Sequence, residues 1–432
     1  MEASSTSGRR RGAGCVCALA LIVAALGFEP VRAQEDIWVP EIRLTENAGT
    51  HARALGMGGA YLALSEDLGA LRHNVAGLAR VKRLEFSGSL TDLERELTTT
   101  YEGVGVRSSL GRTRVTALGF VYPFPVYRGS MVLAVGYNAP YLFDRDYQRR
   151  NRVSADDAAT LEQLFEEGQV GEWSAGLAFD VTPTLSVGVR GSYIQGAREQ
   201  DWVYRDANFD IHDVTAVDYS GLTASLGAMS RLGHWGRLGM VLDLPRWIWI
   251  EGTVTDVVYD ERYAIDDEMT LPFSAGFGIS ATFARLLLAA DARYTDWTQI
   301  DYAGPLRYDT GERRELAYDR VWDLHLGAEY LADWIPSLGL RLRAGVAYEP
   351  VPYRVLLEEI EVDAEGYAVP IYRPAEYDPD RLSWTAGIGL LLEDSLTLDL
   401  AYVQGGYERT GLDLAEEESL RRLLLTASFR LE

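Results

Sequence analysis

The sequence predicts an all-β protein: a transmembrane antiparallel β-barrel of about 14 strands, preceded by a glycine-rich, part-helical segment. Three observations predict it. From about residue 82 onward apolar and polar residues alternate with period two. Short and long connections also alternate along the chain. After the N-terminal 33 residues no stretch holds about 18 consecutive apolar residues, the length a membrane-spanning helix needs. A chain that crosses a bilayer without such a helix must cross with strands, closed so that every backbone group is paired.

The chain has 432 residues, and residues 1–33 read as a secretory signal peptide. Arg9, Arg10 and Arg11 form a basic start, residues 13–26 an apolar centre, and Val31-Arg32-Ala33 a cleavage site before Gln34. Cys15 and Cys17 lie at the front of the apolar run, away from where a lipid attachment would be. The remaining chain then has no cysteine, so neither disulfides nor thiolate metal sites are expected. It carries 37 basic and 62 acidic residues, a net charge of −25. Such a surface repels nucleic acid and anionic lipid. Lys82 is the only lysine. Arginine suits fixed bidentate carboxylate pairs, although GC-rich coding DNA accounts for the same bias equally well.

Alternation places one face of each strand in oil. In MTLPFSAGFGISATFA, Leu271, Phe273, Ala275, Phe277, Ile279, Ala281 and Phe283 share the face expected to meet lipid. The pattern recurs in SMVLAVGYN, EWSAGLAFDV, RLGMVLDL and LGLRLRAGVAY. Tight turns are expected at 125–129, 182–184, 233–236, 284–285, 333–337 and 393–395. Six hairpins, with a first strand near 82–92 and a last near 420–430, give the even count that a barrel closes on. Seven longer connections, near 93–112, 141–169, 198–215, 251–268, 299–318, 350–379 and 409–418, fall on the outer side and carry much of the acidic excess. In one of them Ser154 and Asp157 form a capping pair before Leu161, Leu164 and Phe165, which predicts a short helix and a weak apolar docking surface. Tyr122, Tyr127, Trp235 and Trp334 near one set of turns, and Trp247, Trp249 and Trp297 toward the other side, read as two aromatic girdles.

The opposite parity points inward. It assigns to the lumen Arg190, Asp291, Arg293, Asp323, His325, Glu329, Arg341, Arg343, Glu349 and Asp399, with complementary charges on neighbouring strands and ion pairs expected across the ladder. A barrel interior of this size needs polar filling whether or not a solute passes through it. Catalytic patterns are weak. There is no His-Glu-x-x-His, Gly-x-Ser-x-Gly or Walker sequence, so no catalytic residue, metal or cofactor is assigned. Gly56-Met57-Gly58-Gly59 tempts a dinucleotide reading, but Tyr61 stands where that fingerprint needs a small residue.

Several stretches together resemble a known family. Arg53-Ala54-Leu55-Gly56-Met57-Gly58-Gly59-Ala60-Tyr61, then Glu66-Asp67, Ala70 and Asn74-Val75-Ala76-Gly77-Leu78, resemble the N-terminal signature of FadL-type outer-membrane transporters, which the PorV-type barrels share. Further matches are Leu271-Pro272, Ala290-Asp291 to Trp297, Leu340 to Gly345, and Pro379-Asp380-Arg381. The resemblance implies a hatch over residues 34–81 inside a barrel over 82–432, with Gly56, Met57, Gly58, Gly59, Asn74, Val75 and Ala76 seating it. It also implies passage of long-chain fatty acids or similar hydrophobic compounds across a bacterial outer membrane, with sideways exit at an interruption of the third strand. Gly136, Asn138 and Pro140 are the weak points of that strand here, since glycine and proline disfavour a regular ladder. Val75 departs from the family, which has proline there, so the turn is less preset near φ of about −65°. The expected partners are outer-membrane lipid and an apolar ligand, without enzymatic turnover. The alternative is a PorV-like anchor for secreted proteins.

Overall fold

The computed structural model describes residues 49–101, 103–150, 161–205, 210–303, 316–332, 339–362, 368–374, 380–411 and 414–431. The expected signal peptide, the first part of the expected hatch, and Trp334 lie outside them.

Fourteen antiparallel strands close into a barrel. They are β1 (Leu84–Tyr101), β2 (Val104–Phe124), β3 (Met131–Leu142, resuming as Arg145–Arg150), β4 (Leu161–Asp180), β5 (Leu185–Arg205) and β6 (Asp210–Leu232). Then follow β7 (Gly236–Asp243 and Arg246–Asp256), β8 (Glu261–Leu271 and Ser274–Phe283), β9 (Leu286–Asp296 and Asp301–Ala303), β10 (Arg320–Ala332), β11 (Leu340–Glu349), β12 (Arg381–Leu392), β13 (Leu396–Gly411) and β14 (Leu414–Leu431). The breaks within β7 and β8 fall at Leu244-Pro245 and Pro272-Phe273, because proline has no N–H for the ladder. Each half keeps the same neighbours. Closure comes from β1 pairing with β14 without interruption, from Leu84↔Leu431 to Tyr101↔Leu414.

Turn chemistry is local. Phe283 pairs with Leu286 across a two-residue turn in which Ala284 takes φ 53°, a left-handed first position that matches the twist of the flanking strands. On the other side the strands run much further than hydrophobic alternation implies. β1 and β2 continue to Tyr101 and Val104, and β5 and β6 to Arg205 and Asp210. Two of the expected long loops are therefore ladders with short tips. A tilted strand needs only about 9–11 residues to cross a bilayer, so the extra length of the 23-residue β6 stands outside it. Polar residues occupy both faces there, as Arg198, Glu199, Gln200 and Asp201 do, which erases the hydrophobic period without breaking the hydrogen bonds.

The same effect corrects the helix expected after Ser154. Leu161, Leu164 and Phe165 belong to β4, where they pair with Arg205, Trp202 and Asp201; residues 154–160 lie outside the described set. Two ladder partners, β3 and β5, outweigh a weak helical pattern of five residues. Leu316–Tyr318, Tyr353–Val362 and Ala368–Pro374 form a separate small sheet.

The outer surface is apolar. Leu326 is 59% and Trp384 61% exposed, with Phe277, Ile279, Leu288, Leu324, Ile388, Leu400, Leu423 and Leu425 likewise bare. So large a continuous apolar band is stable only against lipid. Tyr122, Tyr127, Trp235, Trp247 and Trp249 are exposed near its edges.

Two residues placed by simple alternation on the lipid face, or in a girdle, are instead internal. Leu271 is fully buried and Trp297 nearly so. The break at Pro272-Phe273 flips the parity of β8, so Leu271 points in while Phe277 points out. Trp297 opens a 3-10 turn (Trp297–Gln299) between the halves of β9, where period two does not apply.

Candidate functional site

Residues 50–81 occupy the inside of the barrel. They form α1 (Ala52–Gly56) and two 3-10 turns, Leu68–Leu71 and Val75–Arg80. Short polar caps start the two turns: the Asp67 carboxylate accepts from Gly69 N–H, and the Asn74 side-chain oxygen from Ala76 N–H. So short a segment has little independent stability. Wall strands right around the barrel hold it. Ala52 N–H donates to Thr426 Oγ1 on β14 (2.9 Å), Leu68 N–H to Glu85 Oε1 on β1 (3.1 Å), and Thr385 Oγ1 on β12 to the Gly56 carbonyl (3.2 Å). Arg190 on β5 donates to the Leu71 carbonyl at 2.7 Å, and His325 on β10 lies 2.8 Å from the Gly58 carbonyl.

The strongest single anchor is Asp291 on β9. Its Oδ2 accepts from the backbone N–H of both Tyr61 (2.5 Å) and Leu62 (2.7 Å). Asn74 supplies another: Nδ2 donates to the Leu62 carbonyl at 2.9 Å and to Ala228 on β6 at 3.1 Å. Replacing Asp291 by Ala leaves two buried amides unpaired, at about 1–3 kcal/mol each. Limited proteolysis of folded barrels should then cut within residues 50–81 well before the wall, whereas the wild type resists.

Glycine allows this close approach from both sides. Gly58 has φ 65°, and a Cβ on it would meet Val346 N and the Leu326 carbonyl at 2.6 and 2.7 Å. In return, a Cβ on Gly327 or Gly345 of the wall would strike Met57 or Gly58, and one on Gly387 would crowd Gly56. Gly59 lies against His325. Val75 is buried, and its side chain or backbone fills the space left by inward Gly176, Gly188 and Gly227, while Ala76 packs at Gly188 and Gly227. Where the resemblance leads one to expect proline, an isopropyl group thus packs into the wall.

The inward charges form two groups. In the first, Arg343 donates to Glu329 (2.7 Å) and to Asp399 (2.6 Å), and Arg53 of the inner segment lies 3.4 Å from Glu329; Arg341 is more distant, 3.9 Å from the same carboxylate. In the second, Arg190 lies 3.4 Å from Glu172 and 3.5 Å from Asp243, which also binds Arg293. Expected cross-ladder pairing is met at Glu329↔Arg343 but not at Arg293↔Asp323. Arg293 sits opposite Asp323 in register yet reaches the other way, to Asp243, because Arg190 already gathers that carboxylate into a buried group.

A largely polar interior was expected, and the outer half of the lumen departs from it. Tyr141, Phe143, Val170, Ile194, Val217, Tyr219, Ile248, Ile250, Met269, Leu271, Trp297 and Val321 form one buried apolar cluster contributed by eight successive strands or their joins. Along β6 the inner segment touches Gly227 and Ala228, whereas the cluster begins at Tyr219, further from the short turns. The cluster therefore lies on the outer side of the inner segment. One sequence signal could have revealed it: around Pro245 and Pro272 both strand faces are apolar, as in WIWI, where Trp247 and Trp249 face out and Ile248 and Ile250 face in.

Beside the cluster the wall opens. β3 pairs with β2 only from Phe124↔Met131 to Ala117↔Asn138, although β2 continues to Val104. On its other edge the register with β4 shifts between Asn138 and Tyr141, at Ala139-Pro140. Gly136 lies within the regular part, opposite Gly119. Beyond the shift β3 turns inward: Leu142 packs with Leu93 of β1 and Leu420 of β14, and Asp144 takes a bidentate pair from Arg114 of β2 at 2.7 and 2.5 Å. Among the described residues the upper edge of β2 has no ladder partner on this side. An unpaired edge is avoided in membranes except where it lines a passage.

A closed barrel with an apolar band, an occupied lumen and one interrupted wall defines a membrane-spanning barrel of outer-membrane type. Solved structures agree. A Pseudomonas aeruginosa FadL homologue superposes with a TM-score of 0.61 at 15% identity, covering 90% of this chain and 100% of its own. The P. putida toluene transporter TodX gives 0.58 at 15% identity, with 90% and 100% coverage, and the Ralstonia pickettii toluene transporter TbuX 0.58 at 14%, with 89% and 99%. No family model and no curated protein sequence matches. The chain has the fold of the FadL-type outer-membrane transporters.

Proposed function

We propose that this protein carries hydrophobic small molecules inward across a bacterial outer membrane, after removal of residues 1–33, with residues 34–81 acting as a hatch. The observation that carries the reading is the apolar cluster on the outer side of the hatch, which continues through Tyr141 and Phe143 to the wall gap between β2 and β3. An apolar solute gains roughly 25 cal/mol for each Å² it buries there. It can leave sideways into lipid without crossing the charged groups beneath. Gly56, Met57, Gly58, Gly59, Asn74, Val75 and Ala76 seat the hatch in this reading, and Asn138 and Pro140 mark the bend of β3, with Gly136 in the regular ladder before it. Neither a catalytic group nor a cofactor has a part in it.

Long-chain fatty acids fit better than uncharged hydrocarbons because of Arg72. It is 8% exposed, its Nε and Nη1 have no hydrogen-bond partner among the described residues, and Tyr141, Glu172, Arg246 and Arg293 lie near it. A carboxylate headgroup would meet an unspent guanidinium at the inner edge of the apolar cluster. In proteoliposomes, Arg72→Ala should slow palmitate entry roughly tenfold, the loss of one charged hydrogen bond of about 1.5–3 kcal/mol, and leave toluene entry nearly unchanged. Equal effects on both solutes would remove the fatty-acid assignment. No acceleration of either by the wild type would remove the transport reading.

A further inference from the structure

On the short-turn side, between the inner segment and the start of β1, lies a polar cavity of about 400 Å³. Seven arginine or lysine side chains and four carboxylates line it. Most are spent on one another. Arg53 is shared between Glu66 and Glu329, Arg343 between Glu329 and Asp399, and Arg430 binds Glu85. Asp67 is taken by Tyr61 Oη and Gly69 N–H.

Three cations within four residues remain without a carboxylate. Lys82 Nζ donates to the Ala79 carbonyl and Arg83 Nη1 to the Asp394 carbonyl, both at 3.1 Å. Arg80 makes neither kind of contact: its Nε, Nη1 and Nη2 are all withdrawn from solvent and, among the described residues, have no hydrogen-bond partner. A buried guanidinium left in that state is costly, and the natural way to relieve it is an anion. In a chain with 64 acidic and 41 basic residues, a cavity with surplus positive charge is also the reverse of the average surface.

We propose that this cavity binds an oxyanion of phosphate or carboxylate type, free or as the headgroup of an amphiphile, with the exposed Lys82 and Arg83 as its first contacts and the Arg80 guanidinium, now turned away from solvent, swinging out to complete the site. The planar guanidinium fork matches two oxygens of such a group, and Lys82 adds a point charge beside it. The site is separate from the apolar cluster and does not depend on the transport reading.

Titration calorimetry on the purified barrel in neutral maltoside micelles at low ionic strength tests it. The probes are inorganic phosphate and dodecyl phosphate, with added dodecyl maltoside as the uncharged control. Wild type should bind at least one phosphate probe, and Arg80→Gln should weaken it about tenfold, the scale of one lost charge-assisted pair. Binding of inorganic phosphate identifies a free-anion site; binding of dodecyl phosphate alone identifies a headgroup site. Because Arg80→Gln alters a side chain withdrawn from solvent, Lys82→Gln/Arg83→Gln is read in parallel, and it should weaken the same probe several-fold with the strand content intact. Failure of both probes to bind, or binding unchanged in the Lys82→Gln/Arg83→Gln protein, overturns the proposal.

Discussion

Gly58→Val should unseat residues 50–81 and leave the barrel standing. The native φ of 65° costs a side chain about 1–2 kcal/mol by itself. The new Cβ would also lie 2.6–2.8 Å from the backbone of Leu326 and Val346, atoms held in the β10–β11 ladder that cannot move aside. Overpacking of this kind adds about 1–3 kcal/mol. The segment around Gly58 packs only a small apolar cluster, Ala54, Met57, Ala60, Tyr61 and Leu64 against Ala289 of the wall, so the expected response is local release. Wall strands pair with one another independently of it and should keep their strand signal in circular dichroism. The readouts are single-channel conductance, which should rise from near zero to a steady open level, and rapid proteolysis within residues 50–81. An unchanged closed state with normal protease resistance would show that the close approach at Gly58 does not seat the segment. Gly345→Val, which attacks the same contact from the wall side, should produce the same phenotype.

Arg114→Ala and Asp144→Ala should each reduce the entry of apolar solutes by roughly ten- to a hundredfold, the consequence of losing about 1.5–3 kcal/mol of charge-assisted pairing. Asp144 is 2% exposed at its side chain, so the pair is shielded from water. It joins β2 to the inward-turned part of β3 across a region where no backbone ladder does so. Ser108 Oγ adds one bond, to the Asp146 carbonyl at 2.5 Å. With the latch removed, residues 145–150 keep their ladder to β4 but lose the charge pair that fixes them relative to β2, whose free edge is a ready partner for them. Pairing there would seal the gap. Hydrogen exchange should report new protection along residues 104–116 in both variants. A rate equal to wild type, or faster, would mean that the gap is not the exit.

Legibility in the sequence followed the physics of each feature. The turns at 182–184, 233–236, 284–285 and 393–395 and the inward parity around Asp291, His325, Glu329 and Arg343 could be read because lipid on one side enforces a strict period of two. The lengths of β5 and β6 could not, since beyond the membrane neither face is under that constraint while the ladder goes on. Leu271 and Trp297 were misplaced where proline and a 3-10 turn reset the phase. The apolar cluster went unnoticed for a related reason, since an apolar residue facing inward looks, in sequence, like one more residue for the core or for lipid; Arg72 went unnoticed because it follows a 3-10 turn of the inner segment, where no strand parity assigns a direction.

The sequence by itself determined the barrel, its even strand number and the position of both chain ends on the short-turn side, because alternation and turn residues act over a few neighbours. It also marked the glycines of residues 56–59 as a place of close approach. Only the tertiary structure decided what they approach, namely Gly327, Gly345 and Gly387 of the facing wall, and which carboxylate Arg293 chooses. Those choices depend on side chains hundreds of residues apart meeting inside a closed lumen, and closure is a property of all fourteen strands together.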